Sequence, residues 1–191
     1  MNDLFEQRVC KSKSHPGHFG IKHVSHRICT SHNFQLRGDS VMAMASSLMC
    51  FTLRLGPGVE IQSALQKFVQ EKGLKAPFVM TCVGSVSAAK LRLAKAIGDK
   101  PGAGKHEIIE LDERYEIVSL VGTLNDGTHL HVSLADKDGA IVGGHVMGNL
   151  TVFTTAEIVI GESSLETYGR VMEESTGHPQ LVVNKRLNQK L

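Results

Sequence analysis

From Ser47 onward, apolar and polar positions alternate in short runs, and one stretch among them repeats at helical spacing. Leu48–Leu55 reads as a strand that Gly56-Pro57-Gly58 breaks. Residues 59–72 place Ile61, Ala64, Leu65, Phe68 and Val69 on one helical face, with Gly73 as the stop. Residues 78–86 are apolar and β-branched, which predicts a buried strand continuing through 88–93. After a turn-rich loop at 98–105, strands are expected near 108–111, 115–124, 129–135, 140–147 and 150–160. A short helix over 164–174 and a last strand at 181–183 complete the reading. One long helix among many strands with tight turns predicts an α+β fold on a mainly antiparallel sheet.

Residues 1–46 lack sustained periodicity and carry half of the ten histidines, at His15, His18, His23, His26 and His32. They read as a disordered, low-complexity extension, and 47–191 as the domain. An upstream extension is preferred, because Met42, Met44 and Met49 lie just before the ordered pattern begins. An organelle-targeting segment is the second reading, weakened by Asp3 and Glu6. A metal-binding tail is the third, but these histidine spacings fit no recognised signature. Arg37-Gly38-Asp39 reads as a chance loop.

The strand 129–135 and the strand 140–147 change the picture from fold to chemistry. His129 and His131 are two apart and share a strand face. Lys137-Asp138-Gly139 reads as a type I turn with a left-handed glycine and a bulge, pairing Asp136 with Ala140. That register sets His131 opposite His145 and His129 opposite Met147, with all three imidazoles on one face. Leu130, Val132, Leu134, Val142 and Val146 occupy the other face, so a slip of one residue would bury His145 among them. Three imidazoles with an open fourth position suit zinc first, and other first-row divalent metals as well. The plain alternative is polar residues on the wet face of a hairpin. Gly143 and Gly144 mark a close approach of a ligand or of another backbone. Ser133, on the histidine face, and Glu157, in an otherwise apolar strand, are pocket or outer-shell candidates. For Glu157 a salt bridge at an edge or interface is the simpler explanation.

Charge and composition exclude more than they identify. The hydrophobic fraction of 41% and charged fraction of 21% are those of a globular domain. The net charge of +2 is uneven. Residues 1–46 hold six Lys/Arg against three Asp/Glu, which leaves 15 basic and 16 acidic residues for 47–191. Such a domain has no excess positive charge for phosphate backbones, so DNA is an unexpected partner for it alone. No apolar run is long enough to span a membrane. The cysteines Cys10, Cys29, Cys50 and Cys82 form no Cys-x-x-Cys pair and read as reduced thiols of an intracellular protein, whether cytoplasmic, nuclear or organellar. Pro101-Gly102-Ala103-Gly104-Lys105 lacks the first glycine and the final Ser/Thr of a phosphate loop.

The residues His129-Leu130-His131-Val132-Ser133-Leu134-Ala135-Asp136, Asp138-Gly139, Val142-Gly143-Gly144-His145-Val146 and Thr155-Ala156-Glu157 together resemble the signature of the plants-and-prokaryotes-conserved (PPC) domain family. Phe51-Thr52-Leu53-Arg54-Leu55 and Gly84-Ser85-Val86 fit in the expected order, and the resemblance spans about 47–186. It implies an antiparallel domain that assembles as a homotrimer. In plants it implies AT-hook proteins that bind AT-rich DNA and regulate transcription; in prokaryotes it implies a stand-alone domain. The Arg-Gly-Arg-Pro core of an AT-hook, which lies in the minor groove, is absent from this sequence. The reading is therefore a homotrimeric PPC-type domain with a three-histidine metal site, serving as a regulatory or interaction module. Its partners are expected to be itself, other proteins or a small molecule. The alternatives are a metal-dependent enzyme acting on a small molecule and, behind it, a DNA-binding regulator.

Overall fold

In the computed structural model, residues 33–36, 39–42, 46–94 and 107–186 are described. The turn-rich loop at 98–105, the glycines at 102 and 104, and the histidines at 15–32 lie outside them. The chain divides into two compact units, 1–45 and 46–191. In the first, β1 (Asn33–Leu36) and β2 (Asp39–Met42) pair antiparallel, Asn33 opposite Met42.

The second unit begins with β3 (Leu48–Leu55) and α1 (Ile61–Lys72), followed by β4 (Pro77–Leu93), β5 (Glu107–Leu111) and β6 (Tyr115–Thr123). Then come β7 (His129–Ala135), β8 (Ile141–Val146), β9 (Thr151–Ser163), β10 (Glu166–Glu173) and β11 (His178–Lys185). Seven strands form one antiparallel sheet in the order β3-β9-β4-β6-β7-β8, with β5 also on β4. The two expected segments at 78–86 and 88–93 are one strand of 17 residues. Its first part pairs with β9 and β6, and its last part with β5 and β8. Because β8 also pairs with β7, and β7 with β6, the ladder β4-β6-β7-β8 returns to β4 and curls the sheet around its core. Register shifts at 79/81, 84/86 and 86/88 give β4 the bend that this requires.

Alternation fills that core. Leu130, Val132 and Leu134 of β7, Val146 of β8 and Val152, Ile158 and Ile160 of β9 are all buried. The helix adds Ile61, Leu65 and Val69, the face its spacing predicted. Each fully buried aliphatic side chain contributes about 1.5–3 kcal/mol. The helix is short, not long: 12 residues, or about 18 Å. Glu60 caps its start by accepting the amides of Gln62 and Ser63, so the chain at Val59 is still non-helical. Gly73, at φ 63°, ends it, and the Leu74 amide donates to the Val69 carbonyl in a Schellman arrangement.

The helix expected over 164–174 is instead β10, paired with β11 as a separate two-stranded sheet. Thr167, Tyr168, Gly169 and Val171 are poor helix formers, and eight paired positions with β11 decide the outcome. The expected last strand at 181–183 is the middle of the longer β11.

Candidate metal centre

The β7-β8 hairpin folds in the register its turn demands. Asp136 donates its amide to the Ala140 carbonyl at 3.0 Å, and its carboxylate accepts the amides of Asp138 and Ala140 at 2.9 and 2.8 Å. Gly139 sits at φ 80°. Asp136 is therefore a turn residue, as expected. His131 pairs with His145, Ser133 with Gly143 and Leu134 with Val142. The pairing of His129 with Met147 does not form. Past His145 the chain is held on its other edge by β4: the Met147 amide donates to the Lys90 carbonyl at 2.8 Å.

The three imidazoles converge. Their ring centroids are 5.1–5.3 Å apart, and one potential ligand nitrogen from each lies within 4.8 Å of the others. His129 Nε2 and His131 Nε2 are 3.1 Å apart. Two nitrogens at ~2.0–2.1 Å from one tetrahedral zinc would be about 3.4 Å apart, so the rings need little adjustment to share an ion. His129 and His131 are exposed and His145 half-buried. His145 Nδ1 is buried with no hydrogen-bond partner among the described residues. An orphaned buried ring nitrogen beside two further imidazoles is a donor set that fits a divalent metal.

The glycines beside the histidines are explained by backbone contacts. A Cβ on Gly144 would stand 2.8 Å from the Arg92 carbonyl oxygen, and one on Gly143 2.6 Å from that of Val132. Gly122, at φ 140°, lets β6 approach the His129 carbonyl more closely than any side chain permits. Ser133 stays on the histidine face, lining a small recess with His131, Gly143 and Gly144. Glu157 is not brought to the site: it is exposed on β9, opposite Arg54 of β3 and Val83 of β4.

Two residues missed in the sequence complete the surroundings. Arg92 ends β4 directly opposite His145, and Arg170 of β10 donates to Thr123 Oγ1 at 2.7 Å, next to His129 across the β6-β7 ladder. Burial first, then the charges of Arg92, the neighbouring imidazoles and Arg170, hold the His145 pKa down at about 4. His129 is lowered by burial and then by Arg170. His145 is thus a neutral, ligand-competent imidazole at pH 7. Arg170 was hidden by the expected helix, and Arg92 by its place in an apolar strand; a lone charge between Leu91 and Leu93 was the available signal. Of the described cysteines, Cys50 is exposed, and Cys82 is buried, with its thiol pushed up to about 11.

A curled antiparallel sheet with one short helix and a histidine-bearing hairpin defines the class of small domain to which this chain is similar. Residues 42–164 match the Plants and Prokaryotes Conserved (PCC, also written PPC) domain, and the chain belongs to that family. It is 39% identical over 140 residues to a "Bifunctional protein GlmU" of Synechococcus sp. (strain JA-3-3Ab), covering 73% of this chain and 21% of that one. The chain thus spans about a fifth of the length of that relative. It is 32% identical to Arabidopsis thaliana AT-hook motif nuclear-localized protein 8 over 57% of this chain and 28% of the relative. A Salmonella hypothetical protein aligns with TM-score 0.67 and 37% identity, over 75% of this chain and 99% of the other. An Archaeoglobus fulgidus structure described as a metal-containing protein aligns with TM-score 0.62 and 27% identity, over 74% of this chain and 98% of the other. Among the described residues no helix is long and apolar enough to cross a membrane.

Proposed function

We propose that this chain is a metal-binding PPC module in which His129, His131 and His145 hold one divalent ion, zinc in the first instance. The observation that carries the reading is the convergence of three imidazole nitrogens within 4.8 Å on one face of a hairpin whose other face is buried. The similar Archaeoglobus protein is described as metal-containing, which supports it. A divalent ion held by these three residues would supply Lewis-acid chemistry there. The chain's own contribution is to hold three imidazoles on the β7-β8 hairpin and to flank them with Arg92 and Arg170.

The module acts as a homotrimer with a regulatory or interaction role. Val83, Val118 and Ile141, 60%, 57% and 60% exposed, leave apolar area on the sheet that self-association would cover. A metal-dependent enzyme is the second reading, favoured by a cleft of about 330 Å³ beside His129 and His145. DNA binding by this domain alone is disfavoured by the near-neutral charge of 47–191. Metal analysis of the purified protein tests the proposal. One equivalent of metal per chain is expected, and His129→Ala, His131→Ala or His145→Ala should each lower it severalfold while the fold survives. A metal-free wild type after incubation with zinc would sink the reading.

A further inference from the structure

We propose that the cleft beside the three histidines receives a small oxyanion, the carboxylate or phosphate group of a small molecule, clamped by Arg92 and Arg170. The inference rests on the metal-site reading above and gives that site its ligand class. The cleft holds about 330 Å³ and is lined by Arg92, Thr128, His129, His145 and Arg170, among others, with no Asp or Glu in its wall. Its two guanidiniums come from different elements. Arg92 is delivered by the end of β4, where the sheet closes on β8. Arg170 is delivered by the β10-β11 hairpin, beyond the residues 42–164 that match the family.

Among the described residues no carboxylate pairs with either guanidinium. The ion pairs among the described residues are Lys67–Glu71, Lys90–Glu110, Lys137–Asp138 and Arg186–Glu162, and none involves Arg92 or Arg170. Arg170 is braced by Thr123 Oγ1 at 2.7 Å and the Pro179 carbonyl at 3.4 Å, while its Nε is buried without a partner among the described residues. A buried guanidinium donor without an acceptor is costly unless something occupies the site. The guanidinium fork matches a carboxylate or a phosphate, and both groups also offer an oxygen to a metal with a free position. A cationic ligand would be repelled by both arginines, and a neutral one would leave them uncompensated.

The test loads full-length protein with Co²⁺ and follows its visible absorption during titration with pyruvate and, separately, with inorganic phosphate. Metal content, circular dichroism and sedimentation are recorded for every variant first. A saturable spectral shift is expected with at least one anion, pyruvate marking a carboxylate ligand and phosphate a phosphate ligand. Arg92→Gln and Arg170→Gln should each raise the apparent Kd about tenfold, with cobalt content unchanged and partial recovery in Arg92→Lys and Arg170→Lys. Full cobalt content with no shift from either anion, or Gln variants that titrate like the wild type, overturns the proposal and leaves the metal site standing. Failure to take up cobalt, seen before any anion is added, removes the metal site and this proposal with it.

Discussion

His145 reaches the histidine face because Gly144 beside it has no side chain: a Cβ there would press to 2.8 Å against the Arg92 carbonyl oxygen. Gly144→Ala must therefore push β8 off β4, at a cost of about 1–3 kcal/mol, and should weaken metal uptake without touching a ligand; melting curves and metal analysis check both. Protonation sets a second expectation. His145 titrates from 6.5 in the unfolded chain to about 4 in the folded one, and His129 is lowered too. Between these values the unfolded chain binds more protons, so stability rises with pH across the window. Metal-free protein should lose stability as pH falls from about 6.5 to about 4, and His145 should add no further loss below that. Thermal melts in chelator check this, and His145→Asn should flatten the slope. At this scale the histidines were legible in the sequence because alternation and turn chemistry are local. Arg92 was not, because its neighbour His145 is 53 positions away and the pairing that joins them is a closure of the sheet.

Elements differ in what their sequence reveals. The β7-β8 turn was readable from Asp136 and Gly139, since an acceptor for its own turn amides and a left-handed glycine leave few alternatives. Asp136→Ala should cost about 1–2 kcal/mol and loosen the register that aligns His131 with His145; amide exchange across the hairpin measures it. The β10 strand was misread as a helix because its order depends on β11 and on a distant anchor. Glu162, only 3% exposed at the end of β9, accepts the amides of Lys75 and Ala76 at 3.0 Å each and pairs with Arg186, just past β11. Removing one partner of such a buried pair typically costs about 3–5 kcal/mol. Glu162→Ala should therefore destabilise the domain by that order in denaturant titrations. It should also free the hairpin that carries Arg170, seen as faster proteolysis within 166–185. Nothing local to Glu162 announces this role, since its partners lie 86 and 87 positions upstream and 24 downstream.

For the whole molecule, the onset of ordered alternation near Ser47 and the division of contacts at 45/46 fall together. Among the described residues the core cluster runs from Ile61 to Ile160. Deleting residues 1–46 should consequently leave a folded domain; an insoluble or unstructured truncation would refute it. The truncated domain has 15 basic and 16 acidic residues, so its DNA binding should be weak and strongly salt-dependent, checked by titration at physiological salt. Assembly is the property that sequence periodicity conveys least, because a strand face turned to a second copy alternates like any other. The sheet keeps Val83, Val118 and Ile141 at 57–60% exposure although its inner face is saturated with aliphatic side chains. Strands that were amphipathic only for folding would carry polar residues at those positions. Covering such apolar area on association is favourable by roughly 25 cal/mol per Å², and a closed symmetric ring is the form that satisfies every copy alike. The resemblance to the PPC family implies a homotrimer, so three times the chain mass is expected in sedimentation equilibrium. Charged substitutions at the three exposed aliphatic positions, as in Val118→Glu, should shift that mass toward the monomer. They should leave the secondary structure intact, since none of the three side chains belongs to the core. A mass equal to one chain at all concentrations would overturn the trimer.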